Sequence, residues 1–223
     1  MSGMRFEDAN EMLKPGYQPF ESGYQELGDG KWVVAGLTRM VGSRAKMIHW
    51  WFGWLGGIEW YRLWHPTDHV SSGWEGRVNG NYIGASHLVE EHLGGRDTPI
   101  ERLRVSFHEP SETFDAAKYK AANAFAVCAR PGLLDAPINL GRMCHFVRDT
   151  DYGCEMRSRF WLGDIAHRDP TVTIPEAVIR EKRKENLTPD FNRRLHQHAV
   201  EEMGYLADIL PTLYKRVTLD NTF

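Results

Sequence analysis

The chain is 223 residues long, 42% hydrophobic and 26% charged, which is ordinary for a globular protein and enough for one full core or, at the limit, two small domains. A net charge of −3 leaves no basic excess for nucleic acid, and no apolar run approaches the length of a membrane span. Three cysteines (Cys128, Cys144, Cys154), none in a CxxC pair, cannot close a disulfide set, and acidic Glu7, Asp8 and Glu11 stand where a secretory signal would be apolar; together they predict reduced core thiols in a cytoplasmic protein.

Residues 1–30 are rich in Gly, Pro and Glu and read as a loosely structured arm, leaving 31–223 as a single domain. Lys31–Thr38 (KWVVAGLT) predicts a strand. Ser43 can cap a helix over 44–55, which Gly56-Gly57 ends. Ile58–Trp64 is a further ordered aromatic segment, and His65-Pro66 forces a turn because the residue before proline avoids the helical region. Residues 70–84, rich in Gly and Asn, read as an irregular loop, and 87–93 as a strand or short helix closed by Gly94-Gly95. Strands follow at Leu103–His108, Ala124–Ala129, Met143–Arg148 and Cys154–Leu162, with a hairpin turn at Tyr152-Gly153. After a charged, proline-broken excursion over 164–187, Thr188 as N-cap and Pro189 as first helical residue open a long C-terminal helix. The sum is α+β, an antiparallel sheet wrapped around that helix.

In the C-terminal helix, Leu195, Tyr205, Leu206 and Ile209 mark an apolar face, and His198 and Glu202 fall inside it one turn apart. Burying them without partners is expensive, so they pair with each other or both face a third group. Two other places carry similar chemistry: Tyr61-Arg62-Leu63-Trp64-His65-Pro66-Thr67-Asp68-His69, and Val89-Glu90-Glu91-His92. Two imidazoles with two carboxylates suit Zn²⁺, with Fe²⁺ and Mn²⁺ as alternatives. Plainer readings stay open: a helix salt bridge at His198–Glu202, a solvated or capping His65/His69 pair, and a solvated Glu90-Glu91. The strong zinc motif H-E-x-x-H is absent. Six of the eight tryptophans lie between Trp50 and Trp74, which suggests first a packed aromatic core and second a pocket for a flat ligand.

The blocks Trp50-Trp51-Phe52-Gly53-Trp54, Tyr61 to His69, Glu90-Glu91-x-Leu93-Gly94, Cys144-His145-x-Val147-Arg148, Glu155-Met156-Arg157-Ser158-Arg159-Phe160-Trp161, His198-x-x-x-Glu202 and Leu210-Pro211-x-Leu213-Tyr214, in this order, resemble the 2,4-diacetylphloroglucinol hydrolase family, which includes phloretin hydrolase. The resemblance implies a Bet v 1-like helix-grip fold, a curved antiparallel sheet around the C-terminal helix with a cavity between them. It implies one zinc ion held by His69, Glu91, His198 and Glu202, with His65 and Glu90 as local rivals. Tyr61 and His145 match residues near the substrate and are the catalytic candidates, shuttling a proton to the ring carbon. Trp64 and its neighbours Trp50, Trp51, Trp54 and Trp74, with Trp161, would hold the ring. The chain departs from the family at two substrate positions, with Ser72 in place of an Asn and Phe160 in place of a Tyr. The implied reaction is zinc-dependent, retro-Claisen hydrolysis of the carbon–carbon bond between an acyl group and a phenol. The alternatives are a metal-dependent retro-aldol cleavage releasing an aldehyde such as formaldehyde, and a non-enzymatic carrier of hydrophobic ligands. The implied assembly is a homodimer acting on a small aromatic substrate, with no nucleic-acid or membrane partner.

Overall fold

The computed structural model describes residues 3–219. Eight strands build one antiparallel sheet: β1 (Gly23–Gly28), β2 (Lys31–Val41), β3 (His69–Glu75), β4 (Ser86–His92), β5 (Ile100–His108), β6 (Phe125–Leu133), β7 (Ile138–Thr150) and β8 (Gly153–His167). Their order is β1-β2-β8-β7-β6-β5-β4-β3. Three helices close one face: α1 (Ala45–Trp54), α2 (Ile58–Trp64) and the long α5 (Pro189–Leu219), which packs on β2, α1 and α2. Two more, α3 (Ala116–Ala122) and α4 (Glu176–Asn186), lie outside that layer. This is the sheet wrapped around a C-terminal helix that the resemblance implies. Thr188 caps α5 as expected, its hydroxyl accepting the Phe191 N–H at 3.1 Å.

The central strands are buried on both faces, so β8 reads as an almost unbroken apolar and Arg run rather than as a clean alternation. Ser158, Phe160 and Leu162 face the helices. Arg157, Arg159 and Trp161 face the other side, where Trp161 packs in a second core with Ala9, Met12, Leu13 and Phe146. The β7–β8 hairpin turns at Gly153, whose φ of +156° and close approach to the Met40 carbonyl leave no room for a Cβ. All three cysteines are buried and free.

The N-terminal arm is not loose. A 3₁₀ segment, Phe6–Leu13, buries Ala9, Met12 and Leu13, and β1 pairs with β2 as the sheet's edge. Arg148 donates to the Leu13 and Lys14 carbonyls at 3.1 Å, Arg157 to Gly16 at 2.7 Å and Arg159 to Phe20 at 2.9 Å. The order of the arm is imposed by residues more than 100 positions downstream, which its own composition cannot show. Nor is 70–84 all loop. Its first part is β3, the opposite edge, whose small, polar Ser71-Ser72-Gly73 shows no apolar alternation because an edge strand needs none. Ser43 does not cap α1, since among the described residues its buried hydroxyl has no partner and the Ala45 N–H is met instead by the Asp149 carboxylate at 2.8 Å. The 164–187 excursion contains the end of β8 and α4, and α3 forms behind an Asp115 cap where no element was expected. Segment 87–93 is a strand.

Candidate metal centre and substrate cavity

α5 aims His198 and Glu202 at the start of β3 and the end of β4. There His69 and Glu91 are cross-strand partners. All four side chains are nearly buried. Glu202 Oε1 lies 3.3 Å from His69 Nε2, and the Glu91 carboxylate lies 3.9 Å from His69 Nε2 and 4.0 Å from His198 Nε2. One ligand atom each from His69, His198 and Glu202 fit within 4.8 Å of one another.

The tautomers follow from the partners. His69 Nδ1 contacts the Tyr61 carbonyl at 2.6 Å. A carbonyl only accepts, so Nδ1 carries the proton and Nε2 presents a lone pair. Among the described residues that buried Nε2 has no hydrogen-bond partner. His198 Nδ1 donates to Asp68 Oδ2 at 3.0 Å, which turns its Nε2 toward Glu91. Asp68 is itself held by the N–H groups of Gly94 (3.0 Å) and Gly95 (3.1 Å), whose φ values of +82° and +114° suit glycine. An imidazole whose far nitrogen is fixed by a carboxylate or carbonyl is the usual support of a metal-binding histidine. Tyr61 lies flat on His69, ring centroids 3.5 Å apart, and its hydroxyl donates to Glu91 at 2.5 Å.

Of the two rivals, His65 also joins a group that could hold an ion, with Asp68 and His198, their ligand atoms within 4.8 Å of one another. His65 Nδ1 accepts from the Asp68 N–H, so its proton sits on Nε2, toward Glu201 at 3.4 Å and Asp68 at 3.6 Å. Glu90 faces away and pairs with Arg102 at 2.8 Å. His65 does lie flat against His198, centroids 4.9 Å apart, and so buttresses it.

Burial and charge work against each other here. Burial holds the His69 ring near a pKa of about 4, despite Glu91 nearby. Burial alone would lower His198 too, but Asp68, Glu91 and Glu202 outweigh it and push it up to about 9. Burial raises Glu202 to about 7 against the pull of His198 and His65. Asp68 also loses water, yet its bonds to His198 and Gly94 hold it near 2. Burial and the neighbouring Glu91 and Glu202 raise Tyr61 well above a phenol's usual value.

The cluster opens onto a cavity of about 130 Å³ between sheet and helices. Tyr61, Trp64, Glu91, His145, Phe160, His198 and Glu202 line it; no Lys or Arg does. His145 touches Ser158 Oγ at 2.8 Å through Nδ1, and burial keeps its pKa near 4. Ser72 is not on the wall. Its hydroxyl donates to the Gly56 carbonyl at 3.3 Å and therefore accepts from His87 Nε2 at 2.8 Å, so His87, which does line the cavity, presents Nδ1 as a bare acceptor. Burial keeps that ring neutral, its pKa near 3. Of the tryptophans only Trp64 lines the cavity. Trp51 is fully buried, Trp50 stacks on Trp54, Trp74 backs His87, and Trp161 donates to the Met4 carbonyl on the other face. They are core, not ring holders. Sequence reasoning missed Asp68, His87, Ser158 and Glu101. Asp68 adjoins His69 and Ser158 lies inside the Arg-Ser-Arg block, but nothing local marks His87 or Glu101.

A family model described as DAPG hydrolase PhiG domain matches residues 4–215. The chain is 29% identical to the 2,4-diacetylphloroglucinol hydrolase of Pseudomonas protegens, covering 94% of this chain and 72% of that one. It is 26% identical to the phloretin hydrolase of Eubacterium ramulus, covering 94% and 77%. Among solved structures it is similar to major latex-like protein 151 of Panax ginseng, at TM-score 0.38 and 10% identity over 75% of this chain and 97% of that one.

Proposed function

The chain belongs to the DAPG hydrolase family, and from that premise we propose that it hydrolyses the carbon–carbon bond between an acyl group and a phenolic ring, with one zinc ion held by His69, Glu91, His198 and Glu202. The observation that carries this reading is that His69, His198 and Glu202 converge with Glu91 beside them and, among the described residues, no arginine or lysine lines the cavity wall. The orphaned, deprotonated Nε2 of His69 fits such an ion, because a buried acceptor without a donor is otherwise costly. Nitrogen and oxygen donors in equal number suit Zn²⁺. When bound, the ion supplies Lewis acidity toward the acyl carbonyl and an acidified water.

The chain's own residues account for the remainder. Tyr61 fixes Glu91 through its hydroxyl and His69 through its carbonyl, so one residue orients two donors. The ring of a substrate lies against Phe52, Phe160 and Trp64 on the wall. His87, neutral and accepting at Nδ1, takes a hydrogen bond from a ring hydroxyl in place of the group that Ser72 no longer offers. The balanced reaction breaks the ring–acyl bond, adds the hydroxyl of water to the acyl carbon and returns a proton to the ring carbon. His145 holds that proton at Nε2, its Nδ1 being engaged with Ser158. Products are a carboxylic acid and the deacylated phenol. Two copies per particle and a cytoplasmic setting belong to the same reading; the three free thiols are compatible with a reducing compartment, and among the described residues no helix is long and apolar enough to cross a membrane.

Incubating the zinc-loaded protein with acylated polyphenols and trapping the small product tests the reading. A carboxylic acid in equal amount with the phenol supports it. An aldehyde would point to retro-aldol cleavage instead, and stoichiometric binding without any product would point to a carrier.

A further inference from the structure

The outer face of the sheet carries a row of reactive side chains that the metal site does not use. The register runs from His108 on β5 to Cys128 on β6, then to Cys144 on β7 and Arg159 on β8, each directly across from the next. Cys128 and Cys144 are fully buried, and their Sγ atoms lie 3.8 Å apart. Facing residues on antiparallel strands have Cα atoms about 4.5–5.5 Å apart, inside the span of about 4.4–6.8 Å that a disulfide bridges. The two sulfurs can therefore join with the strand register unchanged. The third thiol, Cys154, packs in the inner core instead.

The surroundings make the two thiols unequal. Their hydrogen bond holds Cys128 below a thiol's usual range against the effect of burial, and the Thr113 hydroxyl adds to it. Burial, with Cys128 alongside, holds Cys144 well above that range, although the Arg159 guanidinium pulls it down. His108 donates from Nδ1 to the Glu109 carbonyl at 3.0 Å, which leaves a lone pair on Nε2. Among the described residues that buried nitrogen has no hydrogen-bond partner, so a base stands across from the more acidic thiol. The pair packs in one cluster with Met12 and Leu13 of the 3₁₀ segment and with Phe114. That segment joins the sheet through side chains, Arg148 to the Leu13 carbonyl among them, and opens at lower cost than the strands. An attacking thiol, a protonated second thiol within reach and a nearby base are the parts of a redox pair.

We propose that Cys128 and Cys144 form a modification site, oxidised reversibly to a disulfide by a hydroperoxide, and that the bridge slows the enzyme through His145. The Cys128 thiolate attacks the terminal oxygen of the hydroperoxide. The O–O bond breaks, the leaving oxygen takes up the thiol's proton, and Cys128 becomes a sulfenic acid. Cys144 then attacks that sulfur, the S–S bond forms, and the sulfenic hydroxyl leaves as water with the Cys144 proton. Two thiols lose two electrons and the hydroperoxide gains them. In a reducing compartment such a bridge is transient, which suits a sensor. Val127 and His145 are the next facing pair in the register. Closing the bridge draws facing Cβ atoms from about 5 Å to about 3.8 Å. That shift of about 1 Å falls one residue from His145, and a displacement of this size at a reacting group costs rate. The bridge itself is independent of the hydrolase reading; only the slowing rests on it.

The test exposes the zinc-loaded protein to hydrogen peroxide at neutral pH, alkylates the remaining thiols in denaturant and maps the peptides by mass spectrometry. The wild type is compared with Cys144→Ala and Cys154→Ala. In the wild type the three free thiols fall to one, and the Cys128 and Cys144 peptides appear joined, lighter by two hydrogens. Cys154→Ala forms the same bridge, and dithiothreitol opens it in both. With an acylated phenol as substrate, kcat of the bridged protein falls about tenfold and returns with dithiothreitol, while Cys144→Ala, which cannot form the bridge, keeps its rate. Cys128 and Cys144 both still thiols once methionine sulfoxide has appeared, or a bridge to Cys154, overturns the site. A bridged protein of unchanged kcat, or an equal loss in Cys144→Ala, overturns the slowing. If the untreated protein turns over no acylated phenol, the hydrolase reading fails, and the peptide map alone decides the site.

Discussion

The two faces of the sheet bury polar side chains in opposite ways. On the outer face Arg157 and Arg159 both meet Glu21, at 3.1 and 2.7 Å, and donate further to the Gly16, Phe20 and Ser158 carbonyls. Two guanidinium groups share the one Glu21 carboxylate and backbone carbonyls, and the cluster ties the N-terminal segment to the sheet. On the inner face Glu91 and Glu202 converge with His69 and His198, and among the described residues no arginine or lysine is on the wall and His69 Nε2 has no hydrogen-bond partner. A buried cluster that joins cationic and anionic side chains across the sheet is architecture. One that gathers carboxylates and imidazoles with no arginine or lysine among them is a site.

That contrast can be broken most sharply at Glu202. Glu202→Ala lowers kcat/KM by at least about 10³-fold while the metal-free protein keeps its stability to within about 1 kcal/mol, because an unpaired buried carboxyl has been removed. Steady-state kinetics and thermal melts of the metal-free protein read the two effects separately. The outer cluster behaves the other way. Glu21→Ala strands two buried guanidinium groups, costs about 3–5 kcal/mol and lowers Tm by roughly 10 °C. Activity per folded molecule is unchanged, a split that calorimetry and titrated active-site kinetics expose.

The third expected effect concerns acid. His145 takes up its proton near pH 6.5 when unfolded, but only near pH 4 when folded, because burial disfavours the charged ring. The unfolded chain thus binds more protons across that window, and stability falls as the pH drops through it, by up to about 3 kcal/mol. His145→Gln loses this slope, so wild-type and variant Tm values converge toward pH 4 by comparison with pH 7. The smallest effect is at Asp68. Asp68→Asn leaves His198 in place but releases the hold on its Nδ1, and metal affinity falls about 10- to 100-fold, as chelator competition measures. An unchanged affinity would remove Asp68 from the account.

Much of this was legible in the sequence, for physical reasons that differ by region. The hairpin β7–β8 and the helix α5 showed themselves because alternation, a Tyr-Gly turn and a Thr-Pro start are local signals. The misplacement of His198 and Glu202 on an apolar face was visible for the same reason. The edges were not legible: β1 and the 3₁₀ segment owe their order to Arg148, Arg157 and Arg159, and β3 is too small and polar to alternate. Asp68 escaped notice because its partner lies 130 residues away. The tryptophan cluster misled in the other direction, since density of aromatics along the chain does not say which ring reaches a cavity. Trp64 does, and Trp51, thirteen residues earlier, is sealed in the core.

The central claim is that the inner cluster exists to hold an ion. Elemental analysis of protein purified without chelator, beside His198→Ala, tests it most directly. The account predicts close to one zinc per chain in the wild type and none retained by the variant. A wild-type protein free of any divalent metal, or a variant that keeps its metal in full, would contradict it.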